Sequence, residues 1–596
     1  MMDSTAPPFR ALRRLAFVLS TVCALPAAAF NHDRVVAPIA PGRLPVACSN
    51  VAQDVSRIAP GAMPSDYWDG KPVNGVDHYV SEILAEPQTA LQFAVPVPDN
   101  RELFANHAGQ AVTFVAFVCY PTPAANADPD YVLPETGGVV PHMQPAGTAP
   151  KLMSMREYSQ FFAQLNPLPP QTPQPFPLIV FSHGLGGSPI DSGYLDAVVR
   201  LAAYGFVVAG VFHGDARFSR MRIEDLSDFF FLIRNFSNVV EMETMRPLSL
   251  KAMTDILLAH PGFAPAIDTT RIGGFGASLG GEAMAILLGS RLTTTVGGHC
   301  ADGIVDTRIR AAVGYVPFAG YSFLPAFCEG NSGAAGVNRP YLAISGTADT
   351  TAPIGMMKAA VGYFQSSRYL VELVDGQHEL RPEDTGDLFT WMVTFLEAYL
   401  DAQDPGPMAQ FIRMNGVVGG RQDDLIIDVH VPFATTDANQ LTAREFYNPL
   451  INHFFTTADP GEIDRVQRGD FGAGWQATGL GLKVNAAPPP GSPARAPVCR
   501  FRAAFRDPTF AFYTVDAPEC ELVKANRGWR YQGVSFYAIP AAGNTCPDGY
   551  LRVHRAYNNG FVRNDSNHRY TTSDSTMRDM QAAGWTFEST VICSPL

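Results

Sequence analysis

The chain has 596 residues, of which 46% are hydrophobic and 17% are charged, and its formal net charge at neutral pH is -13. This length exceeds what one compact core usually organises, so two or three domains are expected. The negative charge argues against nucleic acid or an anionic membrane surface as a partner, and we interpret it as a contribution to solubility.

The N-terminus has the features of an export signal. Arg13 and Arg14 precede the apolar run LAFVLSTVCALPAAAF, which ends in the small residues Ala27, Ala28 and Ala29. The run is too short to cross a bilayer stably, and its flanks are those of a signal peptide. We therefore predict a signal peptide over 1–29, cleaved near Ala29, and a secreted or periplasmic bacterial protein without a membrane span.

The cysteines fit an oxidising compartment. Removing Cys23 with the signal leaves eight, an even number, and none lies in a Cys/His cluster with metal-ligand spacing. Pairing neighbours along the chain is a hypothesis from proximity alone, because eight cysteines allow 105 connectivities. It predicts the pairs Cys48–Cys119, Cys300–Cys328, Cys499–Cys520 and Cys546–Cys593.

Residues 30–402 are predicted to form one domain that begins with an N-terminal extension of a few strands. A proline-rich connector, 166–177, leads into alternating strands and helices. The predicted strands are PLIVFSH, FVVAGVFH, RIGGF, AAVGYVPF, YLAISG and YLVELVDG. Continuous apolar strands that alternate with helices indicate an α/β fold, a parallel sheet with helices on both faces.

One aromatic-rich segment, 224–247, interrupts this alternation. We predict a helix from Pro247 to about Gly262 after it. The segment itself is either a buried helix or a lid that forms a wall of the substrate site.

The alternation stops near residue 403, and a periodic region follows. The segments HFFTTADPGEI, AFYTVDAPECE and HRYTTSDSTMR resemble each other at a spacing near 57 residues, and each is followed by a Gly-Trp pair. We predict a linker over 403–440 and a β-rich, three-repeat module over 441–596. Similar units that cannot each bury a core are expected to pack round one axis, so the prediction is a pseudo-threefold, trefoil-like domain.

The segment GFGASLGG has the pattern of a nucleophile elbow around Ser278. Serine needs a base and an orienting acid to act as a nucleophile. Asp349 follows the strand YLAISG, and His378 follows the strand YLVELVDG. Serine, acid and histidine in this order are what an α/β hydrolase requires. Asp375 and Glu379 are competing acids, but Asp375 is too close in sequence to His378 to project from the neighbouring strand.

The segment HGLGG, 183–187, follows the first predicted strand and resembles the glycine-rich loop that supplies one oxyanion-hole amide. We predict the N–H groups of Leu185 and Leu279 as the two donors. His183 is expected to orient this loop by a hydrogen bond. His213 and Asp215 end the next strand and are expected to border the pocket.

Together, FSHGLGGS, RIGGFGASLGG, GTADTTAP and DGQHEL resemble the α/β-hydrolase superfamily, over about 110–402. The nearest resemblance is to the platelet-activating-factor acetylhydrolase-like and dienelactone-hydrolase-like esterases. It implies a Ser278–His378–Asp349 carboxylic-ester hydrolase that needs neither metal nor cofactor. The C-terminal region resembles a three-repeat module found on secreted bacterial hydrolases, which implies no activity.

The leading hypothesis is a secreted serine esterase, lipase-like and acting on apolar, lipid or polyester substrates. A peptidase or thioesterase on the same triad remains open. A non-catalytic polymer-binding protein is the alternative from another class. The C-terminal module is either a binding module for an insoluble polymer or polysaccharide, or a stabilising appendage.

Overall fold

The structure is a computed structural model, and it describes residues 39, 41–165, 175–219, 230, 233–379, 381, 384–400, 408, 411, 414, 417–418, 421–430, 439–488, 495–503, 510–547, 549–563 and 565–595. The predicted signal peptide lies outside the described residues. So do residues 224–229 and 231–232 of the aromatic-rich segment.

The first part of the chain contains seventeen strands among the described residues. They are β1 (Val46–Cys48), β2 (Gln92–Pro96), β3 (Ala111–Pro121), β4 (Tyr131–Val132), β5 (Val139–Val140), β6 (Phe176–Ser182), β7 (Val207–Phe212), β8 (Ile267–Ala277), β9 (Arg291–Thr293), β10 (Cys300–Asp302), β11 (Ile309–Tyr315), β12 (Gly320–Tyr321), β13 (Leu324–Pro325), β14 (Tyr341–Gly346), β15 (Arg368–Leu373), β16 (Val417–Val418) and β17 (Arg421–Val429).

Nine α-helices accompany these strands in the described residues. They are α1 (Pro64–Asp69), α2 (Val80–Ile83), α3 (Arg101–Phe104), α4 (Met155–Leu165), α5 (Ser192–Ala203), α6 (Phe236–Ala259), α7 (Leu279–Leu287), α8 (Ile354–Tyr363) and α9 (Thr385–Leu400). No helix of the described residues, here or later in the chain, is long and apolar enough to cross a membrane.

Eleven of these strands form one mixed sheet, and the α/β class is confirmed. Its main order is β1-β3-β7-β6-β8-β11-β14-β15-β17-β16, and β2 pairs with β3. The six strands from β7 to β15 are parallel to their neighbours. The prediction of a purely parallel sheet was wrong at the two outer strands of this parallel set. Strand β3 pairs antiparallel with β7, and β17 pairs antiparallel with β15.

Part of the predicted linker, 403–440, is a strand and not a linker where the structure describes it. Residues 421–429 form β17, which pairs with β15, so this segment extends the large sheet. Asp423 of β17 is buried and accepts a hydrogen bond from the indole of Trp391 in α9. This contact anchors the strand to the domain in front of it.

Helices cover both faces of the sheet, as predicted. Successive strand residues point to opposite faces, so Leu178 and Val180 join one core, while Ile179 and Phe181 join the other. The first core also contains buried residues of α6, α7 and α8, and the second contains those of α5 and α9.

Helix α6 begins earlier than the sequence predicted. It runs from Phe236 to Ala259 with Pro247 inside it, whereas we expected Pro247 to begin a helix. Proline removes one helical hydrogen bond, but residues on both sides of Pro247 are buried, so tertiary packing outweighs that loss. Residues 236–247 of the aromatic-rich segment therefore belong to a largely buried helix, whereas Phe230 and Ile233 before it are exposed.

All four predicted disulfides are confirmed. They join Cys48 to Cys119, Cys300 to Cys328, Cys499 to Cys520, and Cys546 to Cys593.

The C-terminal region forms a second, antiparallel sheet. Its strands are β18 (Gln440–Asn448), β19 (His453–Thr457), β20 (Gln476–Asn485), β21 (Ala496–Ala503), β22 (Ala511–Thr514), β23 (Trp529–Pro540), β24 (Tyr550–Tyr557), β25 (His568–Thr571) and β26 (Thr586–Pro595). Its helices are α10 (Pro460–Gln467), α11 (Ala517–Lys524) and α12 (Asp574–Ala582). The β-rich character is confirmed, and the trefoil arrangement stays a prediction.

The order strand, strand, helix, strand occurs three times, and we name these segments unit 1 (440–485), unit 2 (496–540) and unit 3 (550–595). Each helix is capped alike, since Asp459, Asp516 and Ser573 accept a hydrogen bond from the amide three residues further on.

Ion pairs join the units. Arg500 of unit 2 bonds to Glu462 of unit 1, and Arg555 of unit 3 bonds to Glu519 of unit 2. Between units 3 and 1 the pair is Arg569 with Glu445, both buried.

Candidate active site

The candidate site lies where the strand order changes direction. Strand β6 is followed along the chain by β7 on one side and then by β8 on its other side. Loops at the carboxyl ends of β6 and β8 diverge at such a point and leave a crevice, which is the usual ligand site of this class of sheet. HGLGG follows β6, and Ser278 follows β8 directly.

Ser278 occupies a strained turn between β8 and α7. Its φ of 55° and ψ of -121° lie outside the conformations that residues other than glycine adopt readily. The turn is closely packed, because a Cβ on Gly280 would lie 1.9 Å from the carbonyl oxygen of Ser182. A Cβ on Gly276 would lie 2.1 Å from the carbonyl oxygen of Gly280. These glycines let α7 approach β6 and β8, as a nucleophile elbow requires.

The structure brings the three predicted triad side chains together. Nε2 of His378 lies 2.9 Å from Oγ of Ser278, and Nδ1 of His378 lies 2.8 Å from Oδ2 of Asp349. Since a carboxylate accepts, Nδ1 carries the proton and Nε2 is left to accept from the serine hydroxyl. The site is only partly open, because Ser278 is 8% and Asp349 5% exposed.

The carboxylate of Asp349 is held by its own loop. Its Oδ1 accepts hydrogen bonds from the N–H groups of Thr351 and Ala352, each at 2.8 Å. The second oxygen therefore faces His378 in a fixed orientation. Of Asp349, Asp375 and Glu379, Asp349 is the acid that contacts Nδ1 of His378.

We name residues 183–187 the oxyanion loop, after the role that the sequence predicts for them. The amide of Gly184 donates to the hydroxyl of Tyr194, that of Gly186 to Asp215, and that of Gly187 to the carbonyl of Gly184. Within this fully described loop, the N–H of Leu185 has no acceptor among the protein atoms. Leu185 is 40% exposed, so its amide is the one available to a ligand.

Beneath this loop lies a buried ion pair that the sequence did not reveal. Arg246 of α6 and Asp215 are each 1% exposed and bond side by side, with Nε of Arg246 3.0 Å from Oδ1 of Asp215. Asp215 thus supports the loop from below. We expected Asp215 to border an open pocket, but its side chain is buried.

The two buried histidines near this ion pair have structural contacts. Burial lowers the pKa of His183 to about 4, so its ring is neutral at pH 7. Nδ1 of His183 donates to the carbonyl of Gly184 at 2.7 Å, which confirms the expected loop-orienting bond. His213 bonds to Oγ of Ser182 at 2.9 Å and is fully buried beside the same pair.

A second buried carboxyl lies near the oxyanion loop. Asp69 is 5% exposed, and burial together with the neighbouring charge of Asp215 raises the pKa of Asp69 to about 7. Its nearest cation is Lys71, whose Nζ lies 3.8 Å from Oδ2 of Asp69. The ionised form of Asp69 is therefore disfavoured in the folded protein.

An aromatic hairpin extends from the Ser278 side of the site. The N–H of Phe318 donates to the carbonyl of Ser278 at 3.0 Å, and the chain continues into the hairpin of β12 and β13. Tyr321 packs against Phe318, and its ring stacks on that of Phe323 with centroids 5.5 Å apart. Phe323 is 60% exposed, so this hairpin presents an apolar surface to solvent.

Two family models match parts of the chain. Residues 442–594 match a domain of unknown function, DUF5648. Residues 156–223 match the family described as platelet-activating factor acetylhydrolase, isoform II. No curated protein is a significant match. The second match contains β6, the oxyanion loop and Asp215, and it ends before Ser278. Over this segment, the α/β domain is similar to the platelet-activating factor acetylhydrolase, isoform II, family.

Proposed function

We propose that this protein is an exported serine esterase that cleaves carboxylic esters through an acyl-enzyme. The observation that carries the proposal is the position of His378, which bridges Oγ of Ser278 and the carboxylate of Asp349. The similarity of 156–223 to an acetylhydrolase family supports the choice of ester over other acyl substrates. The four disulfides support export, because such bonds persist in oxidising compartments.

The reaction follows from the geometry. His378 accepts the proton of Ser278 at Nε2 while Oγ attacks the ester carbonyl, and Asp349 stabilises the imidazolium through Nδ1–H. The N–H groups of Leu185 and Leu279 donate to the oxyanion of the tetrahedral intermediate. The C–O bond to the leaving group then breaks, and His378 returns its proton to the departing alkoxide. Water, deprotonated by His378, hydrolyses the acyl-enzyme in the reverse sequence.

The substrates we propose are esters with an apolar group, such as lipids. The aromatic surface of Tyr321 and Phe323 begins at the residue bonded to the carbonyl of Ser278, so an apolar group bound there adjoins the reacting carbonyl. Burying apolar area contributes about 25 cal/mol per Å². Longer acyl or alkyl chains should therefore bind more tightly.

The first experiment measures hydrolysis of p-nitrophenyl esters with acyl chains of increasing length. Ser278→Ala and His378→Ala should each lower kcat by roughly 10⁴-fold or more, and the double variant should lose no more than either single one. Full activity of Ser278→Ala would refute the proposal. A matched series of peptide anilides and thioesters separates the esterase from the peptidase and thioesterase alternatives.

For the C-terminal region, we propose three copies of one repeat that pack round a common axis and bind an insoluble polymer. Two hairpin tips at equivalent places in units 1 and 3 support binding, because Leu450, Phe561 and Val562 are 74%, 80% and 88% exposed. The full chain should sediment with cellulose, chitin or polyester powder. The triple alanine variant of these residues should stay in solution and keep its activity on soluble esters. Equal sedimentation of both proteins would contradict binding by the tips.

A further inference from the structure

The peptide between Gly184 and Leu185 is held by its carbonyl. The oxygen of Gly184 accepts three hydrogen bonds: from Nη2 of Arg246 at 3.0 Å, from Nδ1 of His183 at 2.7 Å, and from the N–H of Gly187 at 3.3 Å. A trans peptide is planar, so its N–H points away from its C=O. The donors that hold the carbonyl of Gly184 therefore also fix the direction of the Leu185 N–H.

Arg246 is the strongest of these three donors. Its guanidinium is charged, and charge-assisted hydrogen bonds are about twice as strong as neutral ones. The same group donates to the carbonyl of His183 at 2.5 Å, so it binds two successive carbonyls of the oxyanion loop. Its charge also polarises the Gly184–Leu185 peptide in a medium of low dielectric, which makes the opposite N–H a better donor.

Arg246 is itself rigidly placed. It projects from the middle of α6, and Asp215 neutralises its charge through Nε and Nη2. Asp215 also accepts a hydrogen bond from the N–H of Gly186 at 3.4 Å, so both partners of the ion pair bind the oxyanion loop. A lysine cannot replace this arrangement, because an ammonium lacks the planar fork that reaches two carbonyls and a carboxylate together.

We propose that Arg246, paired with Asp215, is the positioning residue of the oxyanion hole. It holds the Gly184–Leu185 peptide with its N–H directed at the developing oxyanion. This rests on the esterase activity proposed above. Without the guanidinium, the peptide loses its main restraint against rotation, and a rotated peptide presents a carbonyl oxygen to the oxyanion in place of an N–H.

The test compares Arg246→Lys with wild type on a p-nitrophenyl ester, with active sites counted by a fluorophosphonate probe. Removing one oxyanion donor costs about 10²–10³ in kcat, so a displaced donor should cost about 10- to 100-fold. KM should change less than about threefold, because the ground-state carbonyl gains little from the hole. The matched control is Arg339→Lys, since the guanidinium of Arg339 also donates to several backbone carbonyls, those of Asp306, Ile309 and Leu287, away from the candidate site.

A second readout separates positioning from structural support. The affinity for an alkyl boronic acid, whose tetrahedral adduct places an oxygen in the hole, should fall by the same factor as kcat/KM. A merely structural role lowers the melting temperature and the titratable fraction but leaves kcat per titrated site unchanged. If Arg246→Lys does not fold, Asp215→Asn is measured by the same criteria.

Two results overturn the proposal: a kcat per titrated site within twofold of wild type, or an unchanged boronic acid affinity. Failure of the esterase proposal looks different. In that case wild type itself hydrolyses no ester, or Ser278→Ala hydrolyses it equally well.

Discussion

The strained backbone of Ser278 predicts that this turn lowers the stability of the fold. We expect Ser278→Gly to have a higher free energy of unfolding than Ser278→Ala, although both variants lack the serine hydroxyl. A residue with a Cβ at a φ of 55° and ψ of -121° carries about 1–3 kcal/mol of strain, which glycine does not. Glycine loses about 0.5–1 kcal/mol more conformational entropy on folding. The difference leaves a net gain of about 1 kcal/mol for the glycine variant.

The assay is urea unfolding of the two variants, with hydrogen exchange of β8 and α7 peptides to assign the transition to the α/β domain. The control pair is Ser345→Gly and Ser345→Ala. Ser345 is buried in β14, where the backbone is extended, so glycine should be the less stable of that pair by about 0.5–1 kcal/mol. If Ser278→Gly is no more stable than Ser278→Ala, the strain argument is refuted.

The remaining predictions concern packing and pH. Gly280→Ala should lower the free energy of unfolding by about 3 kcal/mol or more, because its Cβ would meet the Ser182 carbonyl oxygen at 1.9 Å. Gly355→Ala, with open space around its Cβ in α8, should raise the free energy of unfolding by up to about 1 kcal/mol in the same urea unfolding assay. Asp69→Asn should stabilise the protein at pH 8, by at most about 4 kcal/mol, and have little effect at pH 4. The folded-state pKa of Asp69 is raised from 3.8 to about 7, so the free energy of unfolding of wild type falls as the pH rises between those values. The difference in melting temperature between Asp69→Asn and wild type should therefore be larger at pH 8 than at pH 4. Equal differences at both pH values would contradict the raised pKa of Asp69.

The sequence predicted the residues that meet at the site because each follows a strand in a short, local pattern. Ser278, Asp349 and His378 lie just beyond the ends of β8, β14 and β15, and parallel strands bring their carboxyl ends to one edge of a sheet. The local sequence around each residue therefore predicted both its chemical type and its position at the same edge of the sheet. The α/β class followed from the same alternation of apolar strands and helices.

Arg246 could not be predicted in this way. It is one charged residue within a helix, and its partner Asp215 lies 31 residues away on a turn. Charged residues are almost never fully buried unless paired, so the usual expectation for Arg246 was a solvated side chain. Only the packing of α6 beneath the oxyanion loop creates the contact.

Two fold predictions were wrong for related reasons. Pro247 ordinarily marks a helix start, but burial on both sides keeps α6 continuous through it. The strand over 421–429 carries several acidic residues and lies in a segment that resembled a linker. Its pairing with β15 and the burial of Asp423 against Trp391 depend on residues far away in the sequence. Long-range partners outweigh local composition in both cases.

The polarity of the ion pairs between the C-terminal units also limits how many units can be joined. Units 2 and 3 each reach back with an arginine, Arg500 or Arg555, to a glutamate in the helix of the unit before. A fourth unit built like them would find Thr576 at the corresponding helix position of unit 3. Unit 1 instead offers Glu445 at the strand position of those arginines, and it pairs with Arg569 of the last unit. A further unit of this kind would therefore bury its arginine without a glutamate partner, whereas the pair of Glu445 with Arg569 joins unit 1 to unit 3.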